Sequence, residues 1–218
     1  MEITPITLSY FFDFNSYLLK TETGYALIDT GILKKRKELE EELNRHGCQP
    51  GDLTLIIITH GHLDHVSNAA YLRDRYGAKI AMHRGDSMMA EEANMFVDVK
   101  GGLMLGLIGF LMKVLGLSDY EKFTPDIILE DGQDLSDYGL DATVLHTPGH
   151  SAGSISIITA EGDLFSGDII MNTKKPEKTT LVDNPEQLEA SVSKIRGLDS
   201  SMVYPGHGKP FKMEQFTE

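Results

Sequence analysis

Three of the eight histidines of this 218-residue chain fall in the seven residues Thr59-His60-Gly61-His62-Leu63-Asp64-His65, directly after the run Leu53-Thr54-Leu55-Ile56-Ile57-Ile58. A run that is apolar nearly throughout reads as a strand buried on both faces of a sheet. Val66, Ala69, Ala70 and Tyr76 then suggest a helix, which Gly77 ends before a strand at 79–82. Strand, polar turn, helix, strand is an α/β pattern. The turn at the end of its buried strand is where open α/β sheets present functional groups.

Residue spacing inside that turn points to metal chemistry. His60 and His62, two apart on extended chain, can point to one side, while Asp64 and His65 lie at the helix start and turn toward a neighbouring point. This suits two adjacent ions better than one. Imidazole nitrogens and carboxylate oxygens are ligands that zinc, manganese and iron share, and a catalytic site keeps a position open for water or substrate. One cluster cannot fill two such shells. Three further candidates follow apparent strands in turns rich in Gly and Pro: His150 in Thr147-Pro148-Gly149-His150, Asp168 in Ser166-Gly167-Asp168, and His207 in Tyr204-Pro205-Gly206-His207. Of the remaining histidines, His46 ends a charged helix, His83 is read as structural before pocket-lining, and His146 as a packing or supporting residue.

The rest of the chain fits one α/β domain over residues 1–218. A hairpin spans 16–29, a solvent-facing helix 33–46, and strands are expected at Ile127–Leu129, Ala142–His146, 154–159 and 163–165 as a second, meander-like run. Asn184, Pro185 and Gln187 start a helix whose Leu188, Val192 and Ile195 share a face, and a last strand covers 202–204. No repeat, low-complexity tract or long linker divides the chain. An apolar content of 41% supports a sizeable core. Lys and Arg number 20 against 33 Asp and Glu, a net charge of −13, which argues against nucleic acid as a partner. The one cysteine, Cys48, excludes a disulfide framework and a thiolate zinc site, and is read as a bystander. With no basic, apolar leader at the N-terminus, the expected location is cytoplasmic.

An insertion at about 85–125 carries Met88, Met89, Met95, Met104 and Met112, and residues 101–112 contain no charge. It is too short to span a bilayer. A lid over the metals, a contact in a homodimer and a buried helix remain open for 101–117.

The ordered set His-x-His-x-Asp-His, a lone His in Thr-Pro-Gly-His, an Asp and a final His resembles the signature of the metallo-β-lactamase superfamily, from the N-terminal hairpin to His207. The resemblance implies a four-layered αββα sandwich with the site along one edge of its sheets. It implies that His60, His62 and His150 bind a first metal, that Asp64, His65 and His207 bind a second, and that Asp168 bridges them. Asp29, in Asp29-Thr30-Gly31, matches a family position that supports the site from behind. The implied cofactors are two divalent ions, zinc before manganese or iron.

From that likeness the expected function is a dinuclear hydrolase of glyoxalase II-like type. It acts on a small ester, thioester or lactone, whose acyl part is apolar if the insertion is a lid. A hydroxide bridging the metals is the nucleophile, and Asp64 orients it and takes its proton. Particular relatives fit less well. True β-lactamases of the superfamily lack the bridging carboxylate, glyoxalase II carries a C-terminal helical domain, and the lactonases' tyrosine after the bridging Asp is replaced here by Ile169-Ile170-Met171-Asn172. The alternative is a mononuclear iron enzyme resembling persulfide dioxygenases, followed by a tRNA-processing type of nuclease.

Overall fold

The protein is described here by a computed structural model covering residues 1–95 and 120–217. Two sheets stack face to face. The first has the order β1 (Glu2–Ser9), β2 (Asp13–Thr21), β3 (Gly24–Ile28), β4 (Leu53–Ile58), β5 (Lys79–His83), β6 (Ile127–Leu129). Its β1–β2–β3 part is antiparallel and its β3–β4–β5–β6 part parallel. The second has the order β13 (Phe211–Lys212), β12 (Met202–Pro205), β9 (Asp163–Gly167), β8 (Ile155–Thr159), β7 (Ala142–His146).

Alternation along β4 shows why layers form on both sides. Leu55 and Ile57 point at the second sheet, packing with Val144, Ile157 and Phe165. Ile56 and Ile58 point the other way, toward Leu39 and Leu43 of α1 (Arg36–Arg45) and Leu72 of α3 (Ala69–Tyr76). On the far side, Leu188, Val192 and Ile195 of α5 (Pro185–Arg196) cover Leu164 and Val203. Each such buried side chain contributes roughly 1.5–3 kcal/mol, so both outer helices are held by their apolar face. The order helix, sheet, sheet, helix is the αββα sandwich expected above. Asn184 caps α5 by accepting the Gln187 N–H at 3.1 Å, with Pro185 in the first turn.

Three expectations need correction. Ile127–Leu129 does not join the second run of strands; it pairs in parallel with β5, Met82 opposite Ile128, at the edge of the first sheet. A three-residue apolar run carries no information about which edge it will pair with. The helix read through Val66 to Tyr76 is two helices, α2 (Leu63–Val66) and α3. They part at Asn68, whose side-chain amide donates to Thr30 O (2.7 Å) and Ile32 O (3.0 Å). The helix at 33–46 opens with a tighter turn, Leu33–Lys35, before α1. Two-residue strands, β13 and the ribbon of β10 (Ile170–Met171) with β11 (Glu177–Lys178), are too short for periodicity to signal.

The charge-free stretch 101–112 and the segment 101–117 lie outside the described residues. Residues before it form α4 (Ser87–Glu92). Among the described residues no helix is long and apolar enough to cross a membrane.

Candidate metal centre

Loops following β4, β7, β9 and β12 converge at one edge of the sandwich and bring together all seven candidate ligands. His60 and His62 come from the loop after β4, Asp64 and His65 from α2, His150 from the loop after β7, Asp168 from the turn after β9 and His207 from the turn after β12. His60 Nε2, His62 Nδ1 and His150 Nε2 form a triangle with sides of 3.1, 3.1 and 3.0 Å. Beside it, Asp64 Oδ2 lies 3.3 Å from His207 Nε2 and 3.8 Å from His65 Nε2. Asp168 stands between the two groups, 3.7 Å from His150 Nε2, 3.6 Å from His65 Nε2 and 3.2 Å from His207 Nε2.

The outer ring nitrogens decide what the inner ones present. His150 Nδ1 donates to Leu181 O at 2.8 Å and His207 Nδ1 to Asp13 O at 2.7 Å, because a carbonyl can only accept. His65 Nδ1 meets Asp29 Oδ2 at 2.8 Å. The Thr59 hydroxyl donates to the same Asp29 oxygen at 2.7 Å, so its lone pair is left for the His60 Nδ1–H at 3.1 Å. In the neutral state four imidazoles therefore aim a bare Nε2 lone pair inward, at one another and at carboxylate oxygens. His65 Nε2 and Asp168 Oδ1 are buried with no hydrogen-bond partner among the described residues. Acceptors facing acceptors in a buried space repel unless a cation lies between them, and imidazoles tied back by carboxylates or carbonyls are how proteins orient metal-binding histidines. The donor set thus fits a divalent metal.

The rings differ in how readily they carry a proton, and at His65 and His207 a metal would compete with that proton. Burial, with His65 beside it, pushes His60 well below its ordinary range. Burial and His150 push His62 down to about 4. Burial would lower His65 as well, but the carboxylates of Asp29, Asp168 and Asp64 outweigh it and raise the ring to about 9. For His207 burial is likewise outweighed, by Asp168 and Asp64, and the ring rises to about 11. Burial would raise Asp168, yet the neighbouring His65 and His207 hold it well below the usual carboxylate range.

The surrounding backbone leaves no slack. A Cβ on Gly206 would fall 2.1 Å from Asp168 Oδ1 and 2.9 Å from His65 Cε1, so only glycine lets this turn run against the site. Asn15 on β2, buried and missed from sequence, locks that turn by donating its amide to Pro205 O (2.9 Å) and Gly208 O (2.7 Å). Asp29 adopts a φ of 58°, a left-handed conformation that Asp tolerates.

A cavity of about 500 Å³ opens over Asp64, Asp168 and His207. Its other wall is apolar, formed by the β1–β2 turn Tyr10-Phe11-Phe12 with Leu181, Met171 and Met95. Phe11 is 71% exposed, and the Phe12 ring stands edge-on to His207 at 5.4 Å. The sequence reading passes over this wall, although three consecutive aromatics between two strands are a signal for it. His83 does not line the cavity; it stacks on His146 with ring centroids 4.0 Å apart. His46 lies at the end of α1 beside Glu42. Cys48 is fully buried in the core, and burial pushes its thiol up to about 12.

A model of the metallo-beta-lactamase superfamily matches residues 11–207. The chain is 29% identical over 206 residues to the probable metallo-hydrolase MJ0888 of Methanocaldococcus jannaschii, covering 92% of this chain and 90% of that one. Over 218 residues it is 28% identical to the hydroxyacylglutathione hydrolase GloC of Haemophilus influenzae, covering 95% and 90%. It spans only 55% and 58% of the Beta-lactamase-like protein 2 homologs of Caenorhabditis elegans and Drosophila melanogaster. Among solved structures, TTHA1623 in a di-iron-bound form is similar with a TM-score of 0.75 and 27% identity, over 97% of this chain and 96% of that one. With the sandwich and the edge site already in place, a match over residues 11–207 makes this chain a member of the metallo-β-lactamase superfamily.

Proposed function

We propose that the chain is a metal-dependent hydrolase that cleaves a small ester, thioester or lactone with an apolar acyl group. The observation that carries this reading is the inward-facing set of acceptors, above all the unpartnered His65 Nε2 and Asp168 Oδ1. His60, His62 and His150 would hold one divalent ion, Asp64, His65 and His207 a second, with Asp168 between them. Such a pair supplies a Lewis acid for the scissile carbonyl and brings the pKa of water toward neutrality.

The chain's own residues do the rest. Asp64, lining the cavity, orients the attacking water and accepts its proton; burial would raise its carboxyl, but His65 and His207 keep it ionised. The Tyr10–Phe12 wall takes the acyl part of the substrate and excludes water from the side of the cavity it lines. Each methylene buried there contributes about 0.8 kcal/mol, roughly a fourfold gain in affinity. The likeness to GloC, a hydroxyacylglutathione hydrolase, supports a thioester among the candidates. The second group, Asp64, His65 and His207, also brings its ligand atoms within 4.8 Å of one another, which favours two ions over the mononuclear iron alternative. Zinc leads, and the di-iron form of TTHA1623 keeps iron in the comparison. The apolar wall and the net charge of −13 favour a small molecule over nucleic acid. We read residues 1–218 as one domain, and the single cysteine supports a cytoplasmic location.

Elemental mass spectrometry on protein purified without added metal or chelator, followed by a screen of esters, thioesters and lactones with lengthening acyl chains, tests the reading. Two zinc, manganese or iron ions per chain with kcat/KM rising with chain length are expected. One iron per chain, with oxygen uptake on a persulfide and no ester cleavage, would overturn it.

A further inference from the structure

Asp86 lies after β5 at the start of α4, outside every motif and outside the ligand set. Its side chain is fully buried and reaches two loops that leave different sheets. Oδ2 accepts the Gly61 N–H at 2.8 Å and the Ser151 hydroxyl at 2.6 Å, and Oδ1 accepts the Gly153 N–H at 2.6 Å. Gly61 stands between His60 and His62 on the loop after β4. Ser151 follows His150 on the loop after β7. One carboxylate therefore ties together the two loops that present the three-imidazole triangle.

The backbone is closed down on this carboxylate. A Cβ on Gly153 would fall 2.4 Å from Asp86 N and 2.7 Å from its Cγ, and a Cβ on Gly61 would meet the Asp86 Cβ at 3.2 Å. Neither glycine has a left-handed φ, so what they provide is close approach rather than a turn. Among the described residues the three donors to Asp86 are neutral, and an ionised carboxylate satisfied only by neutral groups in a dry interior is costly. A cation held one residue away on either side offsets that cost. The triangle itself offers three imidazoles, and the carboxylate beside it, Asp168, is shared with the second group.

We propose that Asp86 is the positioning residue of the three-imidazole subsite: it sets the spacing between the His60–His62 loop and the His150 turn and places a second buried carboxylate near the imidazoles, beside the shared Asp168. The inference rests on the metal-centre reading above and adds a residue to it. Nothing in it requires Asp86 to touch the ion or the substrate.

The test strips metal from wild type, Asp86→Asn, Ser151→Ala and His62→Ala, then titrates each with zinc against a chromogenic chelator and follows the cobalt(II) spectrum and the thermal midpoint. Wild type is expected to take two equivalents and His62→Ala to lose one. Asp86→Asn keeps the side-chain shape but removes the charge and turns a donor toward donors. It should weaken one equivalent by about 10- to 100-fold and leave the other within about twofold. Ser151→Ala removes one of the three bonds with no polar group introduced, and should weaken the same equivalent severalfold without loss of fold. Wild-type affinity for both equivalents in Asp86→Asn and Ser151→Ala, beside a lost equivalent in His62→Ala, would overturn the positioning role alone. Equal weakening of both equivalents with a lowered thermal midpoint would also overturn it, making Asp86 a general scaffold residue. Two retained equivalents in His62→Ala would instead sink the metal-centre reading, and the inference with it.

Discussion

Two groups of neighbouring histidines sit in this sandwich, and they behave differently. His60, His62 and His150 have ring centroids 4.6 Å apart in every pair, with planes at 79° to 84° to one another. His83 and His146 are closer, 4.0 Å, but nearly parallel at 17°. Three mutually edge-on rings aim one nitrogen each at a common point. Two stacked rings aim theirs sideways. The stacked pair also turns its nitrogens to its own backbone: His83 Nδ1 accepts the Gly85 N–H at 3.1 Å, and His146 Nε2 donates to Ala152 O at 3.0 Å. Nearness alone does not make a cation site; the direction of the lone pairs does, and the groups behind the rings set that direction.

The strongest attempt to break this contrast is Asp168→Ala, which removes the carboxylate shared by both groups. A loss of at least one metal equivalent and of roughly a thousandfold or more in kcat/KM is expected. Unchanged metal content and activity would erase the distinction between the two clusters.

Asp29→Asn sharpens it further. Asn tolerates the left-handed backbone at this position, so the fold should hold, but an amide cannot accept from His65 Nδ1, the Thr59 hydroxyl and the Thr59 N–H as the carboxylate does. Metal affinity should fall by about 10- to 100-fold, measured by chelator competition, with the thermal midpoint of the metal-free protein changing far less.

His83→Phe carries the smallest expected effect. It keeps a flat ring against His146 and should leave metal content unchanged and kcat/KM within about twofold. A pH dependence separates it from wild type. Burial, and then His146, lowers the His83 pKa below the ordinary value of an imidazole. As pH falls through that value the unfolded chain takes up the proton first, so wild type loses stability on the acid side. Thermal midpoints at about pH 7.5 and about pH 5 should therefore differ less in the Phe variant than in wild type. An equal acid loss in both proteins would show that His83 is not among the groups responsible.

Much of this was legible in residues whose signals are local. β4 announced itself because both of its faces are apolar, and α5 because Asn184, Pro185 and the Leu188, Val192, Ile195 stripe lie within one helix. The seven candidate ligands stood out because His and Asp recur in turns at strand ends. The placement of β6 was misread because a three-residue strand has no periodicity to tell one sheet edge from another. Asn15 and Asp86 passed unnoticed for a different reason: a lone Asn or Asp in a sequence looks like any turn or surface residue until its partners are known.

By itself, then, the sequence determined the chemistry on offer and the local elements that carry it, since those depend on residue types and spacings within a few positions. Tertiary structure decided which of those groups meet. His60 and His150 are 90 residues apart, and Asp86 and Ser151 are 65 apart. Their contacts exist because two sheets bury their inner faces against each other and bring four loop ends to one edge. Packing of the layers is a cooperative property of the whole chain, and no short stretch of it encodes the distance between two loops.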